Sequence, residues 1–63
     1  MVELIIEHWS HRNGTDEFLW SVWDQGKRVG MGGAQSTAEA AEREGIAWCK
    51  RSLGIVPERV TRL

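Results

Sequence analysis

The side chains able to do chemistry in this chain are few and scattered. His8 and His11 lie three apart, and Cys49 stands alone towards the other end. A structural zinc site needs four convergent ligands and a catalytic one three. No cysteine or further histidine joins His8 and His11 at a recognised spacing, so they read as surface or rim histidines. Cys49 could act as a nucleophile with one of them only from an electropositive opening. It falls instead on the apolar side of a helical pattern, where a free thiol is a small packing residue. Asp16, Glu17 and Asp24 flank turns, and turn hydrogen bonding and solubility account for them. Glu42 sits at the edge of the apolar helical side, so it must reach solvent or pair with a base. The chain is therefore expected to be no enzyme, with no catalytic residue, no metal ligand and no cofactor. A domain of this size seldom holds a concave site unless an oligomer interface completes it.

A second kind of chemistry belongs to the backbone. Gly30-Met31-Gly32-Gly33 runs towards Ser36 and Thr37, with Lys27 and Arg28 just ahead. Successive amides in a glycine-rich bend, followed by a helix N-terminus, can hold a phosphate or another anion. Gly30, Gly32, Gly33 and Ser36 are thus candidate anion-loop residues, weighed against a loose connection. The spacing is neither the G-x-x-x-x-G-K-[ST] loop nor G-x-G-x-x-G in a βαβ unit.

These residues must be positioned by few elements. Ser36 to Leu53 is the long run with helical spacing: Ala38, Ala41, Gly45, Trp48, Cys49, Ser52 and Leu53 share one broad side, and Glu39, Arg43, Lys50 and Arg51 the other. Ser36 with Glu39 forms a capping box, Thr37 being the alternative cap. Gly54 and then Pro57 stop the helix. Ahead of it, Val2 to Trp9 reads as a first strand, with Val2, Leu4 and Ile6 on one side and Ile5 and Trp9 on the other. Ser10 to Glu17, carrying Asn13-Gly14, is a reversal. Phe18 to Asp24 reads as the second strand, Asp24 to Lys27 as a short hairpin turn, and Arg28 to Met31 as a short third strand. Gly32 and Gly33 are expected to be too flexible to extend the sheet. Arg59 to Leu63 is a candidate fourth, edge strand. The fold class is thus α+β: an antiparallel three-stranded sheet on one helix, in the order β-β-β-α with a candidate final β. The low-relief strip of Ala38, Ala41 and Gly45 is expected to receive Trp20 or its neighbours.

With 63 residues, one domain with a thin core is expected, because so short a chain buries only roughly 60% of its unfolded surface. Hydrophobic residues at 41% and charged ones at 27% suit a folded globule rather than a disordered segment. Four tryptophans supply apolar area in quantity. The formal net charge of -1 gives no general attraction to nucleic acid or membrane, although Lys50, Arg51, Arg59 and Arg62 face Glu58 alone near the C-terminus. A lone cysteine suggests a reducing compartment, and no apolar run reaches the ~20 residues that cross a bilayer. A cytoplasmic location is expected.

The order WSVWDQGKRVG, a glycine-rich link, STAEAA and WCKRSLG resembles small bacterial domains built from a three-stranded sheet followed by a helix. More distantly, Phe18 to Leu53 is similar to the plant AP2 and phage integrase arm-binding domains. In that family the sheet enters the DNA major groove. The resemblance implies DNA contacts from Trp20, Lys27 and Arg28, with Trp23 beside them. It does not account for Val2 to Trp9 or the final segment. The leading expectation is a small protein-interaction module that binds a protein partner or itself through a sheet edge or an exposed tryptophan. A sheet-based DNA binder is the alternative, and it requires Arg12, Lys27, Arg28 and another basic residue to converge on one solvent face.

Overall fold

In the computed structural model, which describes residues 1–63, the chain runs β1 (Val2–Ser10), β2 (Asp16–Asp24), β3 (Lys27–Gln35), α1 (Ala38–Ser52) and β4 (Arg59–Arg62). The fold is α+β. One sheet has the order β3-β2-β1-β4, with β1–β2 and β2–β3 antiparallel and β4 parallel to β1. A helical crossover makes the parallel pairing possible, as α1 carries the chain from one edge of the sheet to the other. Glu58 starts β4 by donating its backbone N–H to Val2 O at 2.8 Å, while its Oε1 accepts from Val2 N at 3.0 Å. Leu63 N closes the strand onto Ile6 O at 2.9 Å.

The turns follow from local chemistry. Gln25 and Gly26 both have positive φ, 53° and 79°, the two-residue type I′ geometry that matches strand twist. In the loop from His11 to Thr15, Asn13 Oδ1 accepts from Thr15 N and Oγ1, and Gly14 takes φ 85°. Gly54, at φ 73°, follows the helix end, where Leu53 N donates to Cys49 O.

All three antiparallel strands are longer than their apolar runs suggest, and β3 departs furthest from expectation. It continues through Gly32 and Gly33 to Gln35 instead of ending at Met31. The glycines are needed there for packing: a Cβ on Gly30 would come within 2.5 Å of Trp48 Cη2, and one on Gly32 within 2.1 Å of Trp20 Nε1. Small residues therefore receive bulky ones from both sides of the helix–sheet interface, not from the helix strip alone. Sheet glycines receive the indoles, and helix Gly45 receives Leu4, whose Cδ1 would lie 2.4 Å from an added Cβ. The cap also shifts by one residue: Thr37 Oγ1 accepts from Ala40 N at 3.0 Å, so Thr37 and not Ser36 starts the helix.

The core lies between α1 and one side of the sheet. Val2, Leu4 and Ile6 from β1, Trp20 and Val22 from β2, and Ala41 and Cys49 from α1 are buried. Trp48 tilts against Trp20, with ring centroids 6.0 Å apart. Cys49 is a free, fully buried thiol, and burial pushes its pKa up.

Candidate functional site

Because side chains alternate along a strand, burying Val2, Leu4 and Ile6 under the helix sends Glu3, Ile5, Glu7 and Trp9 to the opposite side of β1. Register then sets their neighbours. Arg28, Trp23, Glu3 and Arg59 form one row across all four strands, and Met31, Ser21, Ile5 and Thr61 the next. Leu19 lies beside Glu7, and Glu17 beside Trp9 at the far end. No element of the chain covers this side. Its apolar centre is Ile5, Leu19, Trp23 and Met31, with Leu63 and Trp9 at the margins. Met31 is 57% exposed, Trp9 54% and Leu63 73%.

Local hydrogen bonds hold this face in shape. Trp23 Nε1 donates to Ser21 Oγ at 2.9 Å, which lays the indole along β2. Thr61 Oγ1 donates to Glu3 Oε2 at 2.7 Å, and Arg59 Nη1 lies 4.0 Å from the same oxygen. Two hollows flank the Trp23 ring. One of about 330 Å³ is bordered by Met1, Glu3, Ile5, Trp23, Gln25 and Gly26. The other, about 250 Å³, is bordered by Ser21, Arg28, Met31 and Leu63 among others.

Of the four contact residues expected from the resemblance, the structure brings Trp23 and Arg28 together as cross-strand neighbours on the open face. Trp20 is 4% exposed beneath the helix and does not belong to this face. Lys27 pairs with Asp24 beside the turn, a row beyond Arg28. Arg12 lies in the β1–β2 loop, at the opposite end of the sheet from Lys27 and Arg28, so these three bases do not converge. Gly30, Gly32 and Gly33 are strand residues rather than an anion loop. Gly30 and Gly32 pair with Val22 and Trp20 in the ladder, and Ser36 stands between β3 and the cap residue without capping the helix.

The histidines and the helical carboxylates are paired locally. His8 Nε2 lies 2.9 Å from Asp16 Oδ1, which also accepts from Ser10 Oγ at 3.0 Å. The His8 and Ser10 hydrogen bonds hold the Asp16 carboxyl below its ordinary range. His11 Nε2 sits 3.2 Å from Glu17 Oε2. No group of three or more His, Cys, Asp or Glu side chains comes together in metal-binding proximity. Glu42 pairs with Arg62, accepting from its Nε at 3.1 Å and Nη2 at 3.0 Å, while Glu39 accepts from Nη1 at 3.0 Å. Glu42 first, then Glu39, raises the Arg62 pKa above its ordinary value. A hollow of about 400 Å³ between α1 and β4 is bordered by these same ion-paired groups. The C-terminal bases therefore do not form one free patch: Arg62 is bound to the helix, and Arg59 points to Glu3.

Sequence reasoning missed Leu19, Met31, Leu63 and Arg59 as members of one surface. The signal that could have found them is apolar character on both sides of β1 and β2 in a chain with one helix to offer. No family model, curated protein or solved structure matches this chain. No helix is long and apolar enough to cross a membrane.

Proposed function

We propose that this protein is a small, non-enzymatic interaction module of the cytoplasm that docks a protein surface on its open sheet face. The observation that carries the reading is the apolar centre of half-buried Ile5, Leu19 and Trp23 with exposed Met31 on the side of the sheet that no element covers, rimmed by Glu3, Glu7, Glu17, Arg28 and Arg59. An apolar centre with a polar rim is the anatomy of a protein-binding patch. The buried free thiol of Cys49 suits a reducing compartment.

DNA binding through the sheet is the second reading. It is favoured by the AP2-like order of elements and by Trp23 lying beside Arg28, with Arg59 in the same row. The three glutamates of the face weigh against it, since a phosphate backbone selects positive surfaces.

A photo-crosslinking residue placed at Met31 and activated in the source cells tests both. A covalent adduct to a protein is the expected result. An adduct to nucleic acid would move the second reading ahead, and no adduct at all would overturn the docking face.

A further inference from the structure

The charges on the open face are ordered along the strands. The row next to the β2–β3 turn carries Arg28 and Arg59 with one acid, Glu3, which lies against Arg59, so this row keeps Arg28 as its unpaired base. Glu17, beside His11, and Glu7 lie towards the β1–β2 loop. Trp9 projects at that loop end, and the hollow bordered by Met1, Glu3 and Trp23 lies at the turn end of the same strand, β1. A surface with a base and a hollow at one end, and an acid and a projecting indole at the other, complements its own copy turned end over end.

The geometry points to a second copy of this chain as the occupant of the face, related by a two-fold axis in the interface plane and perpendicular to the strands. The inference rests on the docking face proposed above. That axis lays the loop end of each sheet over the turn end of the other. It brings Trp9 over the hollow beside Trp23 of the second copy and Arg28 beside its Glu17. Both copies make the same contacts, as an isologous interface requires. A two-fold along the strands would instead set β3 over β4 and place Arg28 against Arg59, like charges that repel. Aligned stacking of two sheet faces is an ordinary way to build a core, and here it would supply the layer this slab lacks.

The sheet edges are less suited to the same task. β3 has register shifts between Phe18 and Trp20 and between Val22 and Trp23, and β4 is short and carries Arg59 and Arg62. Bulges, short edge strands and charged residues are devices that discourage edge pairing.

The test is sedimentation equilibrium of the intact chain from micromolar to millimolar concentration, with Trp9→Ala, Arg28→Glu, Glu17→Arg and the double exchange compared. A concentration-dependent dimer is expected, weakened about tenfold or more by Arg28→Glu or by Glu17→Arg, because each change sets like charges against one another across the interface. The double exchange is expected to restore it. Trp9→Ala, which removes an exposed ring and leaves the core intact, is expected to weaken it too. A dimer indifferent to all of these changes would overturn the assignment. So would a monomer throughout the range; if the Met31 crosslink then captures a different protein, self-association fails while the docking face stands. A monomer with no crosslink overturns both.

Discussion

At the scale of single residues, the positions with the least side chain decide the packing. Gly45 tests this against helix propensity, which favours alanine over glycine by about 1 kcal/mol. An added methyl would sit 2.4 Å from Leu4 Cδ1, and Leu4 is fully buried, with no room to swing away. Overpacking of this kind costs about 1–3 kcal/mol, so Gly45→Ala is expected to be destabilising on balance. Gly32→Ala should cost more, because its methyl would meet the buried Trp20 indole at 2.1 Å. Gly33→Ala meets nothing within 4 Å and is expected to be neutral or stabilising by up to about 1 kcal/mol, through loss of unfolded-state freedom. Urea unfolding of the three variants checks the order. Trp20 Nε1 is buried with no hydrogen-bond partner, an unpaired donor that is tolerated because its ring fills the space left by Gly32.

At the scale of the elements, the helix start is the feature where two adjacent hydroxyl residues compete for one role. Both Ser36 and Thr37 are good cap residues by type, and Glu39 favoured Ser36 by completing a capping box. The extended backbone of Thr37, φ -138° and ψ 155°, brings its hydroxyl onto Ala40 N and settles the choice. Thr37→Ala is therefore expected to cost about 1 kcal/mol, and Ser36→Ala, away from any capping hydrogen bond, much less. Thermal melts of the two variants side by side distinguish the caps. The same scale explains why β3 was hard to read. Past Met31 the strand is Gly32, Gly33, Ala34 and Gln35, with no β-forming side chain; that half exists because β2 offers it a ladder, and Gly32, like Gly30 before it, gives an indole the bare backbone it needs.

At the scale of the whole molecule, one helix covers one side of a four-stranded sheet and leaves the other side bare. The radius of gyration is 11.6 Å, somewhat above the roughly 10.6 Å that the size law gives for a compact chain of this length. Cα extents of 38 × 20 × 15 Å describe a slab. If the open face serves binding rather than folding, charge placed on it should leave stability intact. Met31→Glu is expected to change the unfolding free energy of the dilute protein by no more than about 0.5 kcal/mol. Ile6→Ala, on the covered side of the same sheet, should cost about 2–5 kcal/mol. Denaturant titration at low concentration compares them, and a large loss from Met31→Glu would mean that the face is structural.

The sequence by itself determined the elements and their order, because those rest on local physics. Helical periodicity from Ala38 to Leu53, alternation in Val2 to Trp9 and Phe18 to Asp24, and glycine at Gly26 and Gly54 act within a few residues of one another. It also determined that Glu42 needs solvent or a base, since a carboxylate beside an apolar stripe has no other outlet. Only the tertiary structure decided which side of the sheet the helix covers, that Arg62 is the base for Glu42, and that Trp23 shares a face with Arg28 while Trp20 does not. Those outcomes depend on register, where a shift of one residue moves a side chain to the opposite face, and on close approaches between segments far apart in the chain. Both sides of β1 and β2 carried enough apolar residues to be core; with one helix to cover them, packing had to choose one side and leave the other open.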